Sequence, residues 1–134
     1  MVHSEYATAT PGGENAVVSD ELSALRKAGH QVDLVVRRTD DLAKRPLHAL
    51  RSAAEVVLEV AADPWPTVRA LRPDVVHVHN LFPNYRRKGL ARLAQDLPVV
   101  ATLHNYRAFC SSALLSRPGA PNCRDCPSGA RLAA

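Results

Sequence analysis

Two histidine–asparagine pairs carry the side chains best suited to chemistry in this sequence. His79-Asn80 and His104-Asn105 each close a short run that is rich in valine. Histidine can donate a hydrogen bond or transfer a proton near neutral pH, and asparagine can both donate and accept. A single histidine at the end of a strand is more often a satisfied structural group. Two matching pairs beside a glycine turn favour a ligand-binding edge.

The glycine turn is Gly12-Gly13, which directly precedes a helical pattern. Glycine lets the backbone approach a ligand closely, and the start of a helix presents free N–H groups and the positive end of its dipole. This combination suits a diphosphate. Taken alone, two adjacent glycines are more typical of an ordinary turn, so this prediction depends on the pairs that accompany them.

Three cysteines, Cys110, Cys123 and Cys126, lie in the last quarter of the chain. Thiolates two residues apart can share one Zn²⁺, and structural zinc takes four ligands. His104 could supply the fourth ligand, although that role would compete with its place at the ligand-binding edge. A structural zinc site and three thiols in a surface loop fit the spacing equally well. The odd number of cysteines makes a disulfide framework the weaker interpretation.

A further histidine, His77, stands two residues before His79 and therefore shares its face of the strand. We interpret His77 as a packing or structural residue. A metal-binding His-x-His pair is the weaker alternative, because the pair does not itself include a carboxylate ligand.

The elements that must position these residues follow from hydrophobic patterning. Three runs, residues 32–36, 75–79 and 99–103, are apolar on both faces, as is typical of buried parallel strands. Helical patterns occupy residues 14–28, 41–60, 64–71 and 85–95, and Gly29 is a stop signal for the first of them.

Alternating strands and helices predict an α/β fold, a Rossmann-like open parallel sheet flanked by helices. Only residues 1–3 are available for the first strand, which is central in such sheets. We therefore expect an incomplete Rossmann-like domain over residues 1–109. A Cys-containing loop and tail follow over residues 110–134.

Composition narrows the classes of function. The 134 residues suffice for one domain, and 46% hydrophobic with 22% charged residues is the balance of a globular protein. The net charge of +4 permits anionic partners but selects none, and no nucleic-acid-binding motif is present. No secretory signal opens the chain. We expect a cytoplasmic protein. Peripheral contact with the inner face of the membrane is an alternative that the sequence does not decide.

The ordered set of residues 11–14, 25–32, 72–80 and 98–107 resembles the N-terminal domain of family 4 glycosyltransferases of the GT-B fold. The subgroup with a Cys-containing loop after the His-Asn-Tyr segment is the most similar. The resemblance extends from Val2 to about Gly129. It implies two Rossmann-like domains facing a cleft, one mostly for the acceptor and one for the nucleotide sugar. It also implies transfer with retention of configuration and without a metal cofactor.

The resemblance also implies roles for individual residues. Gly13, with Gly12 beside it, would contact the donor diphosphate through the backbone. His104 would be the catalytic residue beside the reacting centre and would reach a hydroxyl of the donor sugar. The acceptor side of the cleft would be shaped by four residues: His79, Asn80, Asn105 and Tyr106. The resemblance does not select the acceptor, which fits the lipid-linked, polysaccharide and small-molecule classes alike.

The nucleotide-sugar domain, part of the first strand and a further cysteine of such relatives are missing from these 134 residues. We therefore expect a fragment truncated at both ends that is inactive alone. The alternatives are a stand-alone phosphate- or nucleotide-binding α/β module and a zinc-binding interaction module built on the Cys loop. Nucleic acid is not an expected partner.

Overall fold

Four short segments rich in valine pair as parallel strands in the computed structural model. They are β1 (Val2–Glu5), β2 (Val35–Arg38), β3 (Val76–Asn80) and β4 (Val99–Ala101). The order across the sheet is β2-β1-β3-β4, and every pair is parallel. The predicted fold class, a Rossmann-like α/β sheet, is confirmed. The short first strand is central, as expected of such a sheet.

The structure describes residues 1–5, 12–43, 62–82, 84–86 and 88–106, together with 110, 113–116, 119 and 123. The chain divides into two compact units, Met1–Thr102 and Leu103–Ala134, and each is described by itself. The sheet lies in the first unit. The predicted boundary at residue 110 falls inside the second unit.

Helices alternate with the strands. They are α1 (Gly13–Lys27), α2 (Thr39–Ala43), α3 (Trp65–Leu71) and α4 (Lys88–Asp96). Gly29, with φ of 91°, ends α1 as predicted, because the left-handed conformation stops the helix. Of the helix expected over residues 41–60, only the start overlaps α2, and residues 44–61 lie outside the described part. None of the described helices is both long and apolar enough to cross a membrane.

Pairing with β1 moves the second strand along the chain. The sequence predicts this strand over residues 32–36, but the observed β2 begins at Val35 and ends at Arg38. Val2 pairs with Val35 and Glu5 with Arg38, so the four residues of β1 define the four residues of β2. Hydrophobicity alone could not supply this register, because hydrogen bonds to the neighbouring strand determine where pairing begins.

The apolar core lies on one face of the sheet. Its buried members come from two strands, two helices and the segment after β3: Val2, Val68, Val76, Val78, Leu81, Tyr85 and Leu93. Both α3 and α4 contribute to this cluster, through Val68 and Leu93. The opposite face of the sheet carries the polar residues described below.

A cluster of charged and aromatic side chains lies beside the α3–α4 contact. Trp65 Nε1 donates to Asp96 Oδ2 at 2.8 Å, and the guanidinium of Arg92 lies 4.0 Å from the Trp65 ring centroid. Asp63 accepts hydrogen bonds from Arg86 and Arg92. Burial would raise the pKa of Asp63, but these bonds and the Arg86 charge hold it below its usual value.

Helices α3 and α4 approach closely at Gly89. A Cβ placed on Gly89 would lie 2.6 Å from Pro64 Cδ and 3.3 Å from Asp63 Oδ1. The Pro64 ring is fully buried and rigid, so it cannot move aside cheaply. Only glycine fits this position without displacing the start of α3.

Gly89→Ala should lower the free energy of unfolding by about 1–3 kcal/mol, because the added methyl overpacks the contact. Urea unfolding followed by circular dichroism measures the change. Gly13→Ala is the matched control, since a Cβ on Gly13 would meet nothing within 4 Å. A Gly89→Ala variant as stable as the parent chain would contradict the close approach.

Candidate functional site

The N-terminus of α1 presents backbone N–H groups beside the carboxyl edge of the sheet. Gly12 is the N-cap residue, with φ of −73° and ψ of 155°, and no side chain among the described residues caps the helix. Both Gly12 and Gly13 are exposed. Free N–H groups and the positive dipole end therefore coincide at this turn, which suits an anion.

Asn80, the last residue of β3, reaches the same turn. Its Nδ2 donates to Glu14 Oε1 at 3.0 Å, and its Oδ1 accepts from the backbone N–H of Phe82 at 3.0 Å. Because Glu14 lies in the first turn of α1, this contact brings Asn80 next to the glycine turn. The contact that holds Asn80 beside the glycine turn is made by the Glu14 carboxylate. Sequence reasoning did not predict Glu14 as a site residue.

His79 lies beneath α1 and not at the open edge. Its side chain is fully buried, and Nε2 lies 3.5 Å from Glu21 Oε2 of α1. In the first His-Asn pair it is therefore Asn80 that extends to the glycine turn. Contact between His79 and an acceptor stays a prediction.

His77 shares this face and contacts the same carboxylate. Its Nδ1 lies 3.0 Å from Glu21 Oε1, and its Nε2 lies 2.8 Å from Thr102 Oγ1. A carboxylate partner for His77 thus comes from α1, which is distant in the sequence. One signal could have revealed it, since Glu14 and Glu21 are seven residues apart and share a helix face with the buried Val18.

A third histidine lies on the same side of the sheet. His3 of β1 is 2% exposed, and its Nε2 lies 2.9 Å from Asn15 Oδ1 of α1. Its ring is edge-on to His79 with a centroid separation of 6.3 Å. No hydrogen-bond partner for His3 Nδ1 is found among the residues the structure describes. The interface between α1 and the sheet is therefore polar, in contrast to the apolar core opposite.

Asn84 holds the ends of the first two strands together. It is 3% exposed, and its Nδ2 donates to the carbonyls of Glu5 at 3.2 Å and Arg37 at 3.1 Å. Its backbone N–H donates to Ser4 Oγ at 3.2 Å, and its carbonyl accepts from Arg37 Nη1 at 3.0 Å. Sequence reasoning missed Asn84, because an asparagine after a proline is ordinarily a turn residue.

The second His-Asn pair lies in the second unit. His104 and Asn105 are half-buried, whereas Tyr106 is 52% exposed. The backbone of Tyr106 donates to the Ala113 carbonyl at 3.1 Å and accepts from the N–H of Cys110 at 2.8 Å. The proximity of the two His-Asn pairs, and the roles assigned to these three residues, stay predictions.

The cysteine site stays a prediction as well. Cys110 is buried and Cys123 is half-buried, while Cys126 lies outside the described residues. Within the described part of the chain, neither thiol belongs to a group of three or more potential metal ligands.

A cavity of about 480 Å³ lies at the amino end of β1 and β3, away from the glycine turn. It is lined in part by Met1, Leu25, Asp74 and His77. None of the predicted site residues lines it. The predicted ligand edge and this cavity are therefore different places on the sheet.

Comparison with known proteins gives one finding. The sequence model of a family described as Glycosyltransferase Family 4 matches residues 11–122. The match includes the glycine turn, both His-Asn pairs and Cys110. No curated protein and no solved structure gives a significant match to the chain.

Asn84→Ala should lower the free energy of unfolding by about 1–3 kcal/mol, because the Glu5 and Arg37 carbonyls lose a buried donor. Thermal and urea unfolding measure the loss. Gln95→Ala removes an exposed amide from α4 and should leave stability unchanged or slightly raised. Equal stability of the two variants would show that Asn84 does not hold the strand ends.

Proposed function

Since the chain belongs to glycosyltransferase family 4, we propose that it forms the acceptor-side domain of a nucleotide-sugar-dependent glycosyltransferase of the GT-B type. In this proposal the active site is completed by a second domain that binds most of the nucleotide sugar. The chain alone is inactive. Transfer proceeds with retention of configuration and requires no metal cofactor.

The observation that carries the proposal is the junction of the glycine turn with Asn80. The match to the family includes this turn, and the structure brings Asn80 to it through Glu14. A helix start at the carboxyl edge of a parallel sheet is where α/β folds bind phosphate groups. The donor diphosphate would therefore approach the exposed N–H groups of Gly12 and Gly13.

The negative charge of Glu14 affects how tightly the glycine turn can bind an anion. Its carboxylate already lies in the first turn of α1 and accepts a hydrogen bond from Asn80. A diphosphate at the same turn would experience repulsion from Glu14, so backbone N–H groups alone would bind it weakly. Positive charge from a second domain would compensate, which agrees with the two-domain proposal.

His104 is the proposed catalytic residue. In this proposal it lies beside the reacting centre and donates to a hydroxyl of the donor sugar. Asn105 and Tyr106 then contribute to the acceptor side, together with Asn80. An exposed tyrosine ring can pack against a sugar face while its hydroxyl stays hydrogen-bonded.

Calorimetric titration of the chain with nucleoside diphosphate sugars tests whether a second domain supplies most of the contacts to the donor. We expect Kd weaker than about 1 mM, corresponding to less than ~4 kcal/mol of binding free energy, because most donor contacts are supplied by the second domain. Binding in the micromolar range would instead support a stand-alone nucleotide-binding module.

Nuclear magnetic resonance locates the weak contact in the same titration. The amide signals of Gly12 and Gly13 should shift on addition of the donor, and Gly13→Ala should abolish the shifts. The folded chain accommodates this methyl group, so loss of the shifts reports on the ligand. Asp20→Asn, an exposed change later on α1, is the control. Shifts confined to the cavity at the amino end of the sheet would contradict the proposed donor side.

His104→Ala tests the catalytic assignment in the complete enzyme, in which this chain acts with its nucleotide-sugar domain. Turnover should fall by about 100-fold or more, since removal of one hydrogen-bond donor beside a reacting centre costs roughly 10²–10³ in kcat. Circular dichroism and melting temperature should stay unchanged. His30→Ala, at an exposed position after α1, should retain full turnover. Full turnover in His104→Ala would remove the assigned role.

A further inference from the structure

Three potential metal ligands converge between α1 and the sheet. Glu21 extends from α1, and His77 and His79 extend from β3, so that one ligand atom of each lies within 4.8 Å of the others. We propose that Glu21, His77 and His79 bind a divalent transition-metal cation of the Zn²⁺ class. This site is separate from the cysteine loop and does not depend on the proposed transferase function.

The distances suit such a cation. Glu21 Oε1 lies 3.0 Å from His77 Nδ1, and Glu21 Oε2 lies 3.5 Å from His79 Nε2. Tetrahedral zinc with bonds of about 2.0–2.1 Å separates its nitrogen and oxygen ligands by roughly 3.3 Å. The two distances end on different carboxylate oxygens, and the ligand atoms of the three residues lie within 4.8 Å of one another, so the side chains must approach by up to about 1.5 Å to share one ion. Two imidazoles and one carboxylate form a donor set that zinc accepts.

Thr102 is positioned to orient one ligand. Its Oγ1 lies 2.8 Å from His77 Nε2, on the opposite side of the ring from Glu21. In the neutral ring without a cation, a proton on Nδ1 lets this nitrogen donate to the carboxylate while Nε2 accepts from the hydroxyl. With a cation, the neutral ring carries its proton on Nε2 and donates to Thr102, which frees the Nδ1 lone pair for the metal. Metal-bound histidines ordinarily make a second bond of this kind.

The site is sheltered yet open to solvent on one side. The side chain of His79 is fully buried and that of His77 is 16% exposed, whereas that of Glu21 is 33% exposed. A cation can therefore enter past Glu21 and become bound where little water competes for it. A water molecule on that side would complete the coordination.

The bound ion would join α1 to the central part of the sheet. The site lies two helical turns after the glycine turn, on the same face of α1 as Glu14. A cation here stabilises the packing of α1 against β3 without taking part in sugar transfer. The same three groups without an ion form an ordinary hydrogen-bonded cluster, and the experiment must separate the two.

The test uses the full chain in which serine replaces all three cysteines, so that thiolates cannot bind the metal: Cys110→Ser, Cys123→Ser and Cys126→Ser. Zn²⁺ is titrated against a chromophoric chelator, and Co²⁺ is added separately for its absorption spectrum. We expect one equivalent of Zn²⁺ per chain, a tetrahedral Co²⁺ spectrum and a melting temperature raised by Zn²⁺. No bound cation in this folded chain would overturn the proposal, and this readout needs no change to the cluster.

Variants assign the ligands. Glu21→Gln keeps an acceptor for His77 and the shape of the side chain but should weaken Zn²⁺ binding by at least tenfold. His77→Gln should weaken it similarly, and Thr102→Val by about tenfold through the lost second-sphere bond. Asp20→Asn and His30→Gln change exposed residues outside the cluster and should leave affinity unchanged. Equal affinity in Glu21→Gln and the parent would place the ion elsewhere and overturn the assignment.

Discussion

The pairing of the four-residue strand β1 on both of its edges is the constraint on which the first unit depends. β1 pairs with β2 over Val2–Glu5 and with β3 on its other side, so it determines the register of both neighbours. A strand this short supplies few backbone hydrogen bonds. Side-chain bonds reinforce it, and Asn84 contributes three of them at the carboxyl end, to Ser4, Glu5 and β2.

Helix α1 combines two different environments along its length. Its first turn begins at the exposed Gly12 and Gly13, and it offers N–H groups to an anion beside Asn80. Asn15 on the inner side of this turn contacts the buried His3, and Glu21 in the middle of the helix contacts His77 and the buried His79. Buried imidazoles are costly without partners, so Glu21 and Asn15 are what makes this polar face of the sheet stable.

The sequence predicted whether each described element is a strand or a helix better than it predicted the first and last residues of that element. Valine-rich runs correctly indicated parallel strands, and the glycine after α1 marked its end correctly. The predicted burial was wrong for β2 and β4, which are half-buried or exposed at the edges of the sheet. The second strand was misplaced by three residues at its start, because pairing with β1 and not hydrophobicity decides where it begins. Asn84 resembled a turn residue, since its role depends on carbonyls that are distant in sequence.

By itself, the sequence determined the α/β class, the family and the glycine turn at the start of a helix, since these follow from local patterns of residue type. Only the tertiary structure decided which member of the first His-Asn pair reaches that turn. It buried His79 beneath α1 and joined Asn80 to Glu14. It also brought Glu21 to His77, because helix packing against a parallel sheet connects residues that no local spacing relates.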